Sequence, residues 1–219
     1  MSAIIVRSSG PICLIGAGSV DSKDLAIVAK YGRRIVAVDG GANHALAAGL
    51  SPDAVIGDLD SLSEAARAEM PVDRVHAFDE QMTTDFDKAL RSVDAPLIIG
   101  VGFMGPRLDH TLATFATMVR YPDKNVILVG VDEIACHLSG GLSFRPTVGV
   151  RLSLFPFLPV TGTSRGLEWP IDGLKFSPDE MIGTSNRVTG PVELAMDGPG
   201  MMLLMPRSDL DALIEAFAD

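Results

Sequence analysis

Asp58 and Asp60, in the run PDAVIGDLDS (52–61), place two carboxylates two residues apart. An extended or turning backbone with that spacing aims both at one point while Leu59 points elsewhere. Such a pair suits a hard divalent cation, because magnesium takes carboxylate oxygens and keeps waters and phosphate oxygens as its other ligands. Asp-x-Asp pairs also cap turns and helix starts. A third acid strengthens the metal reading: Asp85, in QMTTDFDKAL (81–90), falls in the first turn of a predicted helix that follows another strand. Asp39, in DGGAN (39–43), stands directly after a further predicted strand. Downstream, GVGFMGPRLDHTLA (100–113) supplies Gly100, Gly102 and Gly105 for close backbone approach and Arg107 as a bidentate phosphate fork. Asp109 in the next helical turn also complements a helix dipole. His110 reads as a polar helix residue, since no base-and-nucleophile pair accompanies it, and His44, His76 and His137 receive no role for the same reason.

Several chemistries are excluded by what is missing. No lysine follows a glycine, so there is no phosphate-binding GxxxxGK[ST] loop. GAGSVD (16–21) has an aspartate where a dinucleotide fingerprint needs its third glycine, which weakens an oxidoreductase reading. HExxH and GxSxG are both absent.

The acids need a scaffold that brings strand ends together. Short β-branched runs at Ile12–Ile15, Ile35–Val38, Ala54–Ile56, Arg74–Phe78, Leu97–Val101 and Val126–Val131 alternate with amphipathic stretches, the pattern of a parallel sheet with crossover helices. Helical spacing places Phe86, Ala89, Leu90 and Val93 on one face and Leu108, Leu112, Phe115 and Val119 on another. Ser61 with Glu64, and Thr84 with Asp87, have capping-box spacing. In such sheets ligands bind beyond the carboxyl ends of the strands, where these acids lie. Past residue 131 the texture changes. Eight of the 14 prolines fall in 132–219, and alternation such as Val150, Leu152, Leu154 replaces helical periods. The expectation is an α/β domain over 1–131 followed by a smaller all-β domain over 132–219, a sandwich or barrel, with one tail helix at Ser208–Phe217.

The 219 residues carry 18 basic and 28 acidic side chains, a net charge of -10, which disfavours nucleic-acid binding by bulk electrostatics. Cys13 and Cys136 form no disulfide or zinc pattern, which fits a reducing cytoplasm. The N-terminal stretch, broken by Arg7, is expected to be neither a signal peptide nor a membrane span.

Five segments in order, DGGAN (39–43), PDAVIGDLDS (52–61), TTDFDKAL (83–90), GPRLDHTLA (105–113), and RGLEWPIDG (165–173) with GTSN (183–186), resemble the thiamine pyrophosphokinase family. The resemblance implies a Rossmann-like parallel α/β domain, a C-terminal β-sandwich, a homodimer, and magnesium-dependent transfer of the terminal diphosphate of ATP to the hydroxyl of thiamine. On it, Asp58, Asp60 and Asp85 hold the metal, with Asp85 the candidate general base. Asp39, Gly40, Asn43, Gly105, Arg107 and Asp109 line the ATP side. Thr184, Ser185, Asn186 and Trp169 meet thiamine at the dimer interface, with the tryptophan reaching from the partner subunit. Met82 stands where the family often has a charged residue, and a thioether does not ligate magnesium; Gln81 beside it is a candidate hydrogen-bond partner for the aminopyrimidine. Two alternatives stay open: a related enzyme acting on another hydroxymethyl heterocycle such as a pterin, and a nucleotide or thiamine-diphosphate binding module without catalysis. Trp169 read without the family is equally a buried core residue.

Overall fold

A computed structural model of the chain describes residues 3–217. In chain order the elements are β1 (Val6–Arg7), β2 (Ile12–Ile15), α1 (Ser22–Tyr31), β3 (Arg34–Val38), α2 (Gly41–Ala47), β4 (Ala54–Gly57), α3 (Glu64–Glu69), β5 (Val75–Ala77), α4 (Asp85–Ser92), β6 (Val93–Asp94), β7 (Ile98–Val101), α5 (Leu108–Arg120) and β8 (Val126–Val129). The remainder is β9 (Glu133–Leu138), β10 (Gly141–Phe144), β11 (Arg151–Pro156), β12 (Val160–Leu167), β13 (Lys175–Phe176), β14 (Gly183–Met196), β15 (Met201–Pro206) and α6 (Leu210–Ala216). The fold is mixed α/β, in two compact units. One ends at Thr117 and includes Leu128–Gly130; the other comprises Met118–Ile127 and the described chain from Val131 onward.

The first unit is built on parallel strands in the order β7-β2-β3-β4-β5. Ile12, Leu14, Ile15, Ile56, Ile98 and Ile99 are all but fully buried, as expected of strands covered on both faces. Register matters most for the site. Val38 pairs with Ile56 and Gly57 with Ala77, so β3, β4 and β5 end nearly level and their exits share one edge. Bonds one residue farther on, Asp39 N–H to Ile56 O (2.9 Å) and Phe78 N–H to Gly57 O (2.8 Å), hold those exits together.

Helix α4 buries the predicted Phe86, Ala89 and Leu90, and Thr84 caps it by accepting the Asp87 N–H at 3.3 Å. The face predicted for α5 is corrected: Leu108 and Leu112 are exposed, and the helix buries Thr114, Phe115, Thr117 and Met118, the two threonine hydroxyls being satisfied by the His110 and Ala113 carbonyls. Phe86 on α4 meets Phe103 with ring centroids 4.8 Å apart, a tilted contact that adds about 1 kcal/mol beyond burial. Three further expectations need correction. The helix after Asp60 is capped by Ser63, whose hydroxyl accepts the Ala66 N–H at 3.2 Å, because Ser61 is drawn into the acidic loop instead. The strand expected to reach Val131 stops at Val129. The tail helix is shorter, Leu210–Ala216, after a single 3-10 turn. Helices α1 and α2 were not anticipated. The sequence carried the signal for α1 in Asp21 and Asp24, which form a reciprocal capping box. For α2 it did not: Gly41 opens that helix so close to β2 that a Cβ there would lie 1.8 Å from the Ile15 carbonyl oxygen.

The second unit is antiparallel. β15 pairs with β9 and β11, and β11 pairs with the first part of β14. The later part of β14 pairs with both β10 and β12, so this 14-residue strand changes partners along its length. A register shift between Arg165 and Leu167, at Gly166 with φ 75°, bends β12 along it. Cys13 and Cys136 are buried free thiols, pushed up to about 12 by burial and therefore unreactive. No helix among the described residues is long and apolar enough to cross a membrane.

Candidate functional site

Two regions, one in each unit, hold most of the residues singled out from the sequence. The first is the shared edge of β3, β4 and β5. Carboxylate oxygens of Asp39, Asp58 and Asp60 lie within 4.8 Å of one another, with Asp39 buried and Asp60 exposed. Oxygen donors alone, at that separation, fit a hard divalent cation such as magnesium.

The backbone is bent to achieve this. Asp39 has φ 49° and Leu59 has φ 66°, left-handed values that cost a non-glycine residue about 1–3 kcal/mol each. What holds the bend is a set of hydrogen bonds to the loop. Asn43, on α2, donates from Nδ2 to the Ser61 carbonyl (2.9 Å) and accepts the Ser63 N–H at Oδ1 (3.1 Å). Asp39 accepts the Ser61 N–H (3.3 Å), Asp58 accepts the Asp60 N–H (3.3 Å), and the Ser61 hydroxyl donates to Asp60 (2.9 Å). Asn43 thus fixes the loop through both polar atoms of its side chain. Burial raises the Asp39 pKa above the ordinary carboxylate value, against hydrogen bonds from Gly40 and Ser61 that lower it. The charge of Asp85 adds to the upward shift.

Asp85 stands apart from the converging trio. Its Oδ1 accepts the Asp58 N–H at 3.1 Å and a hydrogen bond from Lys88 Nζ at 2.9 Å. Lys88, only 1% exposed, was missed in the sequence. The available signal was a lysine one turn after an acid on a helix with a strongly apolar face. Gln81 and Met82 are exposed in the loop before α4, and Glu80 ties that loop down. It accepts the Thr83 N–H and hydroxyl and pairs with Arg91 at 3.2 Å. These contacts, the Thr83 hydroxyl first, hold its carboxyl below the usual range. At the start of α5, Arg107 and Asp109 form an exposed ion pair at 2.7 Å, with Gly105 beside them in open space. That pair is accessible for exchange with an anionic ligand.

The second region surrounds β14. A cavity of about 160 Å³ is lined by Trp169, Pro170, Ile171, Leu174, Phe176, Met181, Ile182, Thr184 and Asn186. Trp169 is 54% exposed, which removes the core reading of this residue. Asn186 is buried, donates from Nδ2 to the Trp169 carbonyl (2.6 Å) and accepts the Trp169 N–H at Oδ1 (3.2 Å). Ser185 next to it has φ 64°, and its N–H is held by the Ser153 hydroxyl at 3.0 Å. Among the described residues, the positive-φ residues other than glycine are Asp39, Leu59 and Ser185, all in these two regions.

Comparison with known proteins gives the following. The family model for the thiamin pyrophosphokinase catalytic domain matches residues 27–129, and that for the thiamin pyrophosphokinase vitamin B1 binding domain matches residues 143–199. Thiamine pyrophosphokinase 3 of Oryza sativa subsp. japonica is 27% identical over 156 residues, which are 63% of this chain and 58% of that protein. Thiamin pyrophosphokinase 1 of Caenorhabditis elegans is 23% identical over 155 residues, 63% of each chain. The match therefore spans less than two thirds of these relatives' length. Among solved structures, thiamin pyrophosphokinase from Candida albicans superposes with a TM-score of 0.76 at 18% identity, covering 94% of this chain and 96% of that one. The protein from Geobacillus thermodenitrificans gives 0.72 at 22% identity, covering 93% and 100%. At such identities the structural likeness shows a common fold.

Proposed function

The chain belongs to the thiamin pyrophosphokinase family, and from that premise we propose that it transfers the terminal diphosphate of ATP to thiamine, giving thiamine diphosphate and AMP. In this reading the first unit is a Rossmann-like α/β fold and the second a β-sandwich whose layers share β14. The observation that carries the proposal is the convergence of Asp39, Asp58 and Asp60 at the carboxyl ends of parallel strands, where α/β sheets bind ligands.

The hydroxyl oxygen of thiamine attacks the β-phosphorus of ATP. One O–P bond forms as the hydroxyl gives up its proton to Asp85, the candidate general base; the bond from that phosphorus to the α,β-bridging oxygen breaks, and AMP departs with the oxygen. Asp58, Asp60 and Asp85 would hold magnesium, with Asp39 as the third carboxylate converging with Asp58 and Asp60. The bound cation supplies neutralisation of charge on the phosphoryl oxygens. Arg107, released from Asp109, takes a phosphate through its planar fork. Gly105 leaves room for the nucleotide, Gly40 lets Ser61 pack close where a Cβ would lie 3.0 Å from its Cβ, and Asn43 keeps the acidic loop in its bent form. In the second unit the exposed face of Trp169 receives the thiazolium cation, with Thr184 beside it in the same cavity and Asn186 and Ser185 fixing the wall. Exposed Met181 and Ile182 next to Trp169 support a homodimer in which this surface faces a partner subunit. Gln81 is assigned to the aminopyrimidine on its exposure alone.

Phosphorus NMR of the purified protein with ATP, magnesium and thiamine tests the reaction. AMP and thiamine diphosphate should appear in equal amounts. ADP with thiamine monophosphate would mean attack at the γ-phosphorus and would sink the proposal.

A further inference from the structure

A buried lysine beside an acidic cluster calls for a physical reason. Lys88 lies on α4 with its side chain 2% exposed, its Nζ 2.9 Å from Asp85 Oδ1. The same oxygen accepts the Asp58 N–H at 3.1 Å, so the lysine is joined through one carboxylate to the loop that carries Asp58 and Asp60. Burying an ammonium is expensive, and a buried ion pair is often matched or bettered by apolar side chains of similar size. Stability of α4 alone therefore does not account for it. The electrostatics of the neighbouring loop does. Asp39, Asp58 and Asp60 converge within 4.8 Å, and the charge of Asp85 is near enough to act on Asp39. Like charges at this separation repel, and the loop also has to keep Asp39 and Leu59 at positive φ.

Building on the proposed metal site, we infer that Lys88 is an internal counter-cation that keeps the four-aspartate site assembled before the metal arrives. It is a positioning residue. It holds Asp85 by Oδ1, and the same oxygen of Asp85 holds Asp58 by its backbone N–H. Its charge offsets one of the four carboxylates, so the empty site does not spring open between turnovers.

The test is thermal unfolding of the full chain in EDTA and in 10 mM magnesium. For the wild type the two melting temperatures should differ by roughly 3 °C, the effect of weak cation binding to the folded state alone. For Lys88→Met the difference should widen to about 6–12 °C, because the metal then supplies the charge that the lysine no longer does. Adding Asp85→Asn to Lys88→Met should shrink that difference by half or more, since one of the four charges is gone. If Lys88→Met yields no soluble protein, Lys88→Gln takes its place with the same expectation. A magnesium-dependent difference equal to that of the wild type would overturn the inference, however unstable the variant. So would a double variant with an undiminished difference. A wild-type protein that makes no AMP, with Lys88→Met melting as expected, would overturn the reaction and leave the role of Lys88 standing.

Discussion

The two candidate regions solve one problem by opposite chemistry. Each holds a segment in a conformation its residues resist: Asp39 and Leu59 in loops of the first unit, Ser185 near the start of β14 in the second. Each is pinned by an asparagine whose side-chain amide bonds to backbone on the facing segment: Asn43 to Ser61 and Ser63, and Asn186 to both backbone groups of Trp169. What they hold differs. The acidic loop concentrates negative charge, which suits a cation, while the cavity around Trp169 is mostly apolar and offers an exposed aromatic face. Backbone strain and an asparagine clamp are thus common to both regions, whereas their charge differs.

The largest effect that would break this comparison is expected in the first region. Asp58→Asn should lower kcat by about 10³-fold or more, because it removes a charge that a bound cation needs. The melting temperature should move little, since the side chain is only partly buried. A loss of less than tenfold in a steady-state assay would show that the acidic loop is not the reaction centre.

A smaller effect should separate the scaffolds. His137 on β9 accepts the Gly200 N–H at Nε2 (2.9 Å), which puts its own proton on a buried Nδ1 that has no hydrogen-bond partner. Burial lowers its pKa from 6.5 to about 4. The unfolded chain therefore binds a proton below about pH 6.5 that the folded chain refuses until about pH 4. Stability is complete above pH 6.5 and is lost as pH falls toward 4, by up to about 3 kcal/mol. Urea unfolding between pH 7 and pH 4 should show this slope in the wild type and a flatter one in His137→Gln. Equal slopes would show that His137 does not control the acid response of the second unit.

The smallest effect sharpens the division of labour. Trp169→Ala should raise the KM for thiamine roughly 10-fold, the strength of a partly desolvated cation-π contact, and leave the KM for ATP and kcat within about threefold. If kcat fell while the KM for thiamine held, the aromatic face would belong to the reaction centre and the contrast between the regions would fail.

Much of the first unit was legible in the sequence. Its strands are short β-branched runs and α4 buries the face its period predicts, so there local pattern and final structure agree; α5 forms where its period places it but buries Thr114, Phe115, Thr117 and Met118 and leaves Leu108 and Leu112 exposed. The acids after the strands were legible too, since their type and spacing are local facts. The exact trio was not. Asp39 joins Asp58 and Asp60 because of the register between β3 and β4, and Asp85 is turned toward Lys88 by a bond to a backbone 27 residues away. Ser61 was misread as a cap because a serine followed three residues later by glutamate looks the same whether or not a loop claims it.

The sequence by itself determined the class of fold, the acidic chemistry and the order of the family's segments, because residue type, spacing and periodicity are properties of the chain alone. Tertiary structure decided which carboxylates converge, that Trp169 is exposed, that Lys88 is buried, and where Asp39, Leu59 and Ser185 carry strain. Each of these depends on strand register or on a hydrogen bond between segments far apart in the chain, and only the folded molecule brings those segments within bonding distance.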